Sequence, residues 1–290
     1  MTTHTEAEIG SQPECWRRAV ADVPVGALPR PGERVAVIGC GTSWFIAMAY
    51  ATLRERAGLG ETDAFAASEA PTGRSYDRVL ALTRSGTTTE VLELLRRTDA
   101  RTTAITADPN TPVMTAADDV IVLDYADEQS VVQTRFATTQ LAMLRASLGE
   151  DLTQAIADAE QAVAAPLPAE LTDAEQFSFL GIGWSVGLAQ EAALKMREAS
   201  RSWTEAYPAM EYRHGPISIA GPGRVTWMLG TAPEGLREQV EETGGTFFQT
   251  GLDPMAELIR AQRVAVARAF ARGLDPDEPL HLTRSVILSS

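Results

Sequence analysis

The chain has 290 residues, long enough for two domains that each bury a core of their own. Hydrophobic residues make up 44% and charged residues 22%, a mixture that excludes long-range disorder; the 6% of aromatics predicts aliphatic cores of the layered α/β kind. A net charge of −14 argues against a nucleic-acid role, since phosphate backbones recruit Lys- and Arg-rich surfaces, yet one pocket of backbone N–H groups still suffices for a small anion. Cys15 and Cys40 fit no metal-ligand or disulfide spacing. The start Met1-Thr2-Thr3-His4 shows no basic region followed by an apolar run, and no stretch reaches bilayer length. The expected location is cytoplasmic.

An amphipathic start (Glu8 to Val20) leads to a Pro/Gly stretch at Pro29 to Gly32. Apolar runs then predict buried strands at Val35 to Gly39, Val79 to Thr83, Thr102 to Thr106 and Val120 to Leu123. Between and after them, helices are predicted over Ser43 to Ala57, Thr88 to Arg97, Pro112 to Ala117 and Val132 to Leu148. Such alternation implies right-handed βαβ crossovers and parallel sheets. Pro166-Leu167-Pro168-Ala169 marks a linker, after which the pattern restarts. It gives a strand at Phe177 to Gly183, a helix at Ser185 to Ser200 and a strand at Arg224 to Leu229. A helix at Glu234 to Thr243, a strand at Thr246 to Phe248 and a last helix at Pro254 to Arg272 complete it. The two halves share a weak repeat, Val37-Ile38-Gly39-Cys40-Gly41-Thr42-Ser43 against Phe179-Leu180-Gly181-Ile182-Gly183-Trp184-Ser185. The domains expected are 1–165 and 166–290, each a parallel sheet flanked by helices, with the second abbreviated.

Two turns carry the chemistry of anion binding. Gly39-Cys40-Gly41-Thr42-Ser43 joins a strand to a helix, where glycines permit a tight turn and free N–H groups carry partial positive charge. By itself it is explained equally well as a capped helix start. Thr83-Arg84-Ser85-Gly86-Thr87-Thr88 follows a second strand with four hydroxyls and one guanidinium, a group suited to bidentate contact with phosphate oxygens. Both turns lie beyond the carboxyl ends of strands, where open α/β sheets hold ligands, so together they point to an anion site. A dinucleotide fold is disfavoured because Trp44 stands where the third glycine of the fingerprint belongs, and no P-loop motif is present.

Glu191, Lys195 and Glu198 fall at i, i+4 and i+7 of a predicted helix and share one face. A solvated face with a salt bridge is the commoner meaning of such a trio. His214 stands in a turn before Gly215-Pro216.

In order and spacing, the chain resembles the isomerase half of glucosamine-6-phosphate synthase and the related sugar-phosphate isomerases and deaminases with two sugar-isomerase (SIS) domains. The resemblance runs through Glu8-Ile9-x-x-Gln12-Pro13, Cys40-Gly41-Thr42-Ser43, Ser85-Gly86 and Thr138-Thr139-Gln140-Leu141. It continues through Ala193-Leu194-Lys195-x-x-Glu198, Glu205-Ala206-Tyr207, His214-Gly215-Pro216 and Leu282-Thr283-Arg284-Ser285-Val286. It implies a sugar phosphate held by Gly41, Thr42, Ser43, Thr83, Arg84, Ser85 and Thr88, with Val131, Gln133 and Arg284 also at the sugar. It implies that Glu198 is the base moving a proton between C1 and C2, that Lys195 assists it, and that His214 opens the ring. In the family that histidine comes from the neighbouring subunit, which implies a homodimer. No metal or cofactor is called for, and neither nucleic acid nor membrane is an expected partner.

The departures matter. No N-terminal nucleophilic cysteine is visible, so a glutaminase half and glutamine-dependent synthesis are not expected. Arg84 replaces the glutamine of the family's Ser-Gln-Ser-Gly turn, Gln133 replaces a serine, and Arg284 replaces a lysine. Four outcomes stay open: isomerisation or deamination of a hexosamine 6-phosphate; dehydration of N-acetylglucosamine 6-phosphate by loss of the 3-hydroxyl; deglycation of a fructosamine 6-phosphate; and sensing without catalysis. Retention of Lys195, Glu198 and His214 weighs against the last.

Overall fold

The computed structural model describes residues 2–71 and 73–288. In chain order the elements of its first half are α1 (His4–Gly10), α2 (Gln12–Ala21), β1 (Val35–Gly39), α3 (Thr42–Arg56), β2 (Thr62–Ala66), β3 (Arg78–Leu82), α4 (Thr89–Arg97), β4 (Arg101–Thr106), α5 (Val113–Ala116), β5 (Asp119–Val122) and α6 (Arg135–Ser147). There follow α7 (Thr153–Ala164), α8 (Ala169–Thr172), β6 (Gln176–Gly181), α9 (Ser185–Ser200), β7 (Thr204–Pro208), β8 (Arg224–Leu229), α10 (Leu236–Glu241), β9 (Thr246–Gln249) and α11 (Pro254–Ala271). They form two compact units.

The five-stranded unit takes Glu14–Glu128, Arg135–Leu152 and the chain from Thr283 onward. Its sheet is parallel throughout in the order β2-β1-β3-β4-β5. Strands β1 and β3 are buried at every position, as a near-continuous aliphatic sequence requires when both sheet faces are covered. The chain leaves β1 for β2 on one side and returns to β3 on the other, so the carboxyl ends of β1 and β3 form a topological switch point. On α4, Val91, Leu92 and Leu95 pack against the sheet, while Trp16 of α2 is fully buried and donates Nε1–H to Thr138 Oγ1 of α6 at 2.9 Å.

The four-stranded unit comprises the chain up to Pro13, Gln129–Thr134 and Thr153–Leu282. Its parallel sheet has the order β7-β6-β8-β9, the pattern of the other sheet with one strand fewer. The repeat read from Gly39–Ser43 and Gly181–Ser185 thus maps onto equivalent strand ends, those of β1 and β6. Helix α11, buried along most of its length, lies against α7, α9 and α1.

Several expectations need correction. The single N-terminal segment is two helices. Edge strands β2 and β7 were not predicted: Thr-Asp-Ala-Phe-Ala and Thr-Glu-Ala-Tyr-Pro lack an aliphatic run because an edge strand is only half covered. The helix expected from Val132 begins at Arg135, since the buried carboxylate of Glu8 accepts hydrogen bonds from the backbone N–H groups of Gln129 (2.5 Å) and Ser130 (3.3 Å) and from Ser130 Oγ. That also explains the Glu8-Ile9-x-x-Gln12 motif, whose Gln12 donates to Gln262 Oε1 at 2.7 Å. The contacts do not divide at residue 165. Helix α7 joins the four-stranded unit through Asp158, which accepts from Asp253 N at 2.7 Å, and through Arg263, which caps the carbonyls of Ala162 (2.7 Å) and Ala165 (2.6 Å).

Candidate active site

Within the five-stranded unit the two glycine turns stand side by side at the switch point. Gly41 has φ +54°, a conformation that L side chains rarely adopt, and a Cβ on Gly39 would approach the Ser43 backbone to 2.6 Å. The first turn of α3 therefore sits directly on the strand end, with Thr42 and Ser43 buried. At the second turn Gly86 has φ +62°, and Thr83, Arg84 and Ser85 are buried. Thr83 Oγ1 is shut from solvent without a hydrogen-bond partner. An unsatisfied buried hydroxyl costs roughly 1–3 kcal/mol, a penalty that an acceptor such as a phosphate oxygen removes.

Arg84 faces inward. Its Nη1 pairs with Glu128 Oε2 at 3.3 Å, with both side chains buried, and its Nη2 donates to the Arg284 carbonyl at 3.2 Å. Glu128 also accepts from Arg135 N at 2.8 Å. The guanidinium expected on the phosphate thus holds a buried carboxylate and the C-terminal tail. Arg284 in turn donates to the Glu128 carbonyl and to Asp127 Oδ1, the latter at 2.5 Å. Beyond it Ser285 Oγ accepts from Thr87 Oγ1 at 2.9 Å, and the Val286 carbonyl accepts from Thr89 N at 3.2 Å. Gly41, Thr42, Ser43, Thr83, Arg84, Ser85, Thr88 and Arg284 are therefore gathered on one unit. The parts played by Asp127 and Glu128 have no local sequence signature, because both sit in a loop and meet their partners only through the fold.

The repeat turn of the four-stranded unit is built differently. Ser185 Oγ donates to the Leu229 carbonyl at 2.9 Å and accepts from Ile182 N at 2.9 Å, so its hydroxyl closes the turn on itself. From this turn α9 carries the acidic trio. Lys195 Nζ lies 3.4 Å from Glu191 Oε1 and 2.5 Å from Glu198 Oε2. The side chains of Glu191 and Lys195 are 0% and 1% exposed, and that of Glu198 is 16% exposed. A solvated salt-bridge face is excluded by that burial. Arg197 of the same helix also acts electrostatically on both carboxylates, and of the two only Glu198 retains access to solvent. That is the arrangement a proton-abstracting carboxylate needs: held in place and reachable.

Val131 and Gln133 lie on the 129–134 segment of the same unit; Val131 N donates to the Asp277 carbonyl at 3.5 Å, and Gln133 Oε1 is buried without a partner. His214 ends the short turn Glu211–His214 and is exposed, and no hydrogen bond or ion pair among the described residues ties it to the α9 trio. Among the described residues no three His, Cys, Asp or Glu side chains cluster to hold a metal ion, and no helix is long and apolar enough to cross a membrane.

Residues 30–148 match the SIS domain family, a span that includes every strand of the five-stranded sheet and both anion turns. This segment is similar to a SIS domain. The match does not reach the strands of the four-stranded sheet. The chain is 27% identical over 294 residues to a glutamine–fructose-6-phosphate aminotransferase (isomerizing) of Sulfurisphaera tokodaii, covering 88% of this chain and 50% of that protein. The enzyme of the same name from Gloeobacter violaceus is 28% identical, with 88% of this chain and 52% of that protein covered. The chain thus spans about half the length of these relatives. The crystal structure of a glucosamine-6-phosphate deaminase from Thermotoga maritima superposes with a TM-score of 0.83 at 26% identity, covering 99% of this chain and 100% of that one. The C-terminal domain of a glucosamine-fructose-6-phosphate aminotransferase from Francisella tularensis gives 0.82 at 22% identity over 96% and 98% of the two chains, a likeness of fold. Parallel sheets flanked by helices, as expected from the sequence, are thus shared with solved structures along nearly the whole chain. The SIS match itself accounts for the first sheet.

Proposed function

We propose that this chain is an amino-sugar 6-phosphate isomerase or deaminase that removes the C2 proton of its substrate with Glu198. The observation that carries the reading is the α9 trio, in which a buried Lys195 pairs with a solvent-reachable carboxylate. The names borne by the relatives, with their amino-sugar and fructose 6-phosphates, agree with it. The four-stranded unit, with its equivalent strand order and glycine turn, is on this reading a second, abbreviated SIS domain.

In the proposed mechanism the phosphate is gripped by Ser43, Ser85, Thr88 and Thr83, whose unpartnered hydroxyl is a ready donor, while backbone N–H groups at the starts of α3 and α4 supply partial positive charge. Arg84 serves the cradle from behind by fixing Glu128 and the tail. His214, exposed and offered by a second subunit of a homodimer, protonates the ring oxygen and opens the sugar. Glu198 then takes the C2 proton; the electron pair moves into the C1–C2 bond, and the carbonyl oxygen at C1 gains negative charge, which the ammonium of Lys195 stabilises. Returning the proton to C1 gives an imine at C2 when the C2 substituent is a free amine; attack of water on that imine releases ammonia and leaves the ketose.

The experiment is product identification with glucosamine 6-phosphate and, in parallel, its N-acetyl form. Ammonia with fructose 6-phosphate from the first substrate supports the proposal. A chromophoric unsaturated sugar from the second without ammonia replaces it with a dehydratase, and tight binding without turnover of either replaces it with a sensor.

A further inference from the structure

Away from the anion turns, the five-stranded unit holds a cavity of about 600 Å³, within the usual size of small-molecule sites. Its origin is topological. The link from β2 to β3 carries only a single short turn, Ala67–Glu69, in place of a covering helix, so this face of β2, β1 and β3 is roofed by α4 on one side only. The floor and wall are apolar, supplied by Ile38, Phe65, Val79 and Leu94. The lining also carries polar side chains: Tyr76, Asp99, Arg97, Arg74, whose Nη1 lies 3.4 Å from Asp63, and two carboxylates of α4, Glu90 and Glu93.

The two are in different states. Glu93 is matched by Arg97, whose Nη2 lies 3.4 Å from it. Glu90 has no ion-pair partner among the described residues: its Oε2 is shut from solvent without a hydrogen-bond partner, and its charge acts on the thiol of Cys40. Burial and this neighbouring negative charge together push the Cys40 thiol above its ordinary value, so the thiol offers no compensation beyond a weak S–H donor. A carboxylate half-withdrawn from water at the wall of an apolar cavity wants a positive charge brought to its open side.

We propose that this cavity is a binding site for a protonated amine carried on an aromatic or branched apolar body, with the ammonium at Glu90 and the body against Ile38, Phe65, Val79 and Leu94. The apolar wall asks for a flat or branched hydrocarbon portion; Arg74 and Arg97 are matched by Asp63 and Glu93, and Glu90 asks for a cation. This cavity shares no lining residue with the phosphate cradle, and the proposal does not depend on the reaction proposed above.

The test uses the full chain and three probes of one shape: tryptamine, neutral 3-ethylindole and anionic indole-3-propionate, each titrated by calorimetry and by amide chemical shifts. Tryptamine should bind below about 1 mM and at least about tenfold more tightly than 3-ethylindole, with shifts at Phe65, Glu90 and Leu94, and the propionate should not bind. Glu90→Gln should weaken tryptamine about tenfold while leaving 3-ethylindole unchanged, and Leu94→Trp, which fills the cavity, should abolish both. Circular dichroism checks that each variant is folded. No tryptamine binding at 5 mM, equal affinity for the three probes, or an unaltered tryptamine affinity in folded Glu90→Gln would each overturn the proposal.

Discussion

Replacing Lys195 by Met removes the cation from a helix face where two carboxylates were packed around it. Glu191, 3.4 Å away and fully buried, then loses this ammonium, whereas Glu198 at 16% exposure can recover water. At 3.4 Å and an effective dielectric constant of about 20, the lost Glu191 attraction is about 5 kcal/mol. Measured losses on breaking buried pairs run to about 3–5 kcal/mol, which is the destabilisation expected for Lys195→Met. The double variant Lys195→Met, Glu191→Leu exchanges the pair for apolar side chains and should lose no more than about 1–2 kcal/mol, because the carboxylate left behind, Glu198, reaches solvent. Urea unfolding followed by far-ultraviolet circular dichroism, with the slope compared across variants, reads both values as shifts in midpoint. A Lys195→Met midpoint within about 0.5 kcal/mol of the parent, or a double variant as unstable as the sum of its singles, would refute the claim that Glu191 is a buried charge compensated by Lys195.

Further expectations follow from other parts of the molecule. Gly86→Ala should cost about 1–3 kcal/mol in the same unfolding assay, because φ is +62° and the new Cβ would meet Thr111 Oγ1 at 2.1 Å. Burial holds the Glu257 carboxyl above the ordinary carboxylate range, against the opposing pull of Thr250, Arg260 and Trp227, whose Nε1–H donates to it at 2.9 Å. The folded state therefore keeps this proton more tightly than the unfolded one. Its contribution is present below the unfolded value of about pH 4.3 and is lost as pH rises through the folded value, so parent minus Glu257→Gln stability should grow on acidification from pH 7 toward pH 4. In a Cys15→Ala background, Glu90→Gln should speed alkylation of Cys40 at pH 8 by about threefold, since removing the neighbouring charge lowers the thiol's proton affinity.

The fold was legible where chemistry is concentrated along the chain. Strands β1, β3 and β4 declared themselves as aliphatic runs ending at glycine or hydroxyl turns, because a sheet covered on both faces demands them. The edge strands β2 and β7 were hidden by the same logic, since their half-covered faces tolerate Asp63, Glu205 and Pro208. Helix α7 was missed because its buried face is built from Ala155, Asp158, Ala159 and Ala162, small or polar residues that give little hydrophobic contrast. At the site, spacing placed Glu191, Lys195 and Glu198 on one helical face but left their burial undecided; packing around α9 settled it. The inward turn of Arg84 could not be read, because its partner Glu128 lies 44 residues away in a loop.

The account stands on Glu198 as a base for carbon-bound hydrogen. Proton NMR of glucosamine 6-phosphate in deuterium oxide follows that step directly, whatever product is later released. The parent chain should wash the C2 proton out of substrate or product, and Glu198→Gln, folded as judged by its circular dichroism, should slow the exchange by at least about a hundredfold. Exchange at C2 at the parent rate in the Glu198→Gln variant would contradict the account.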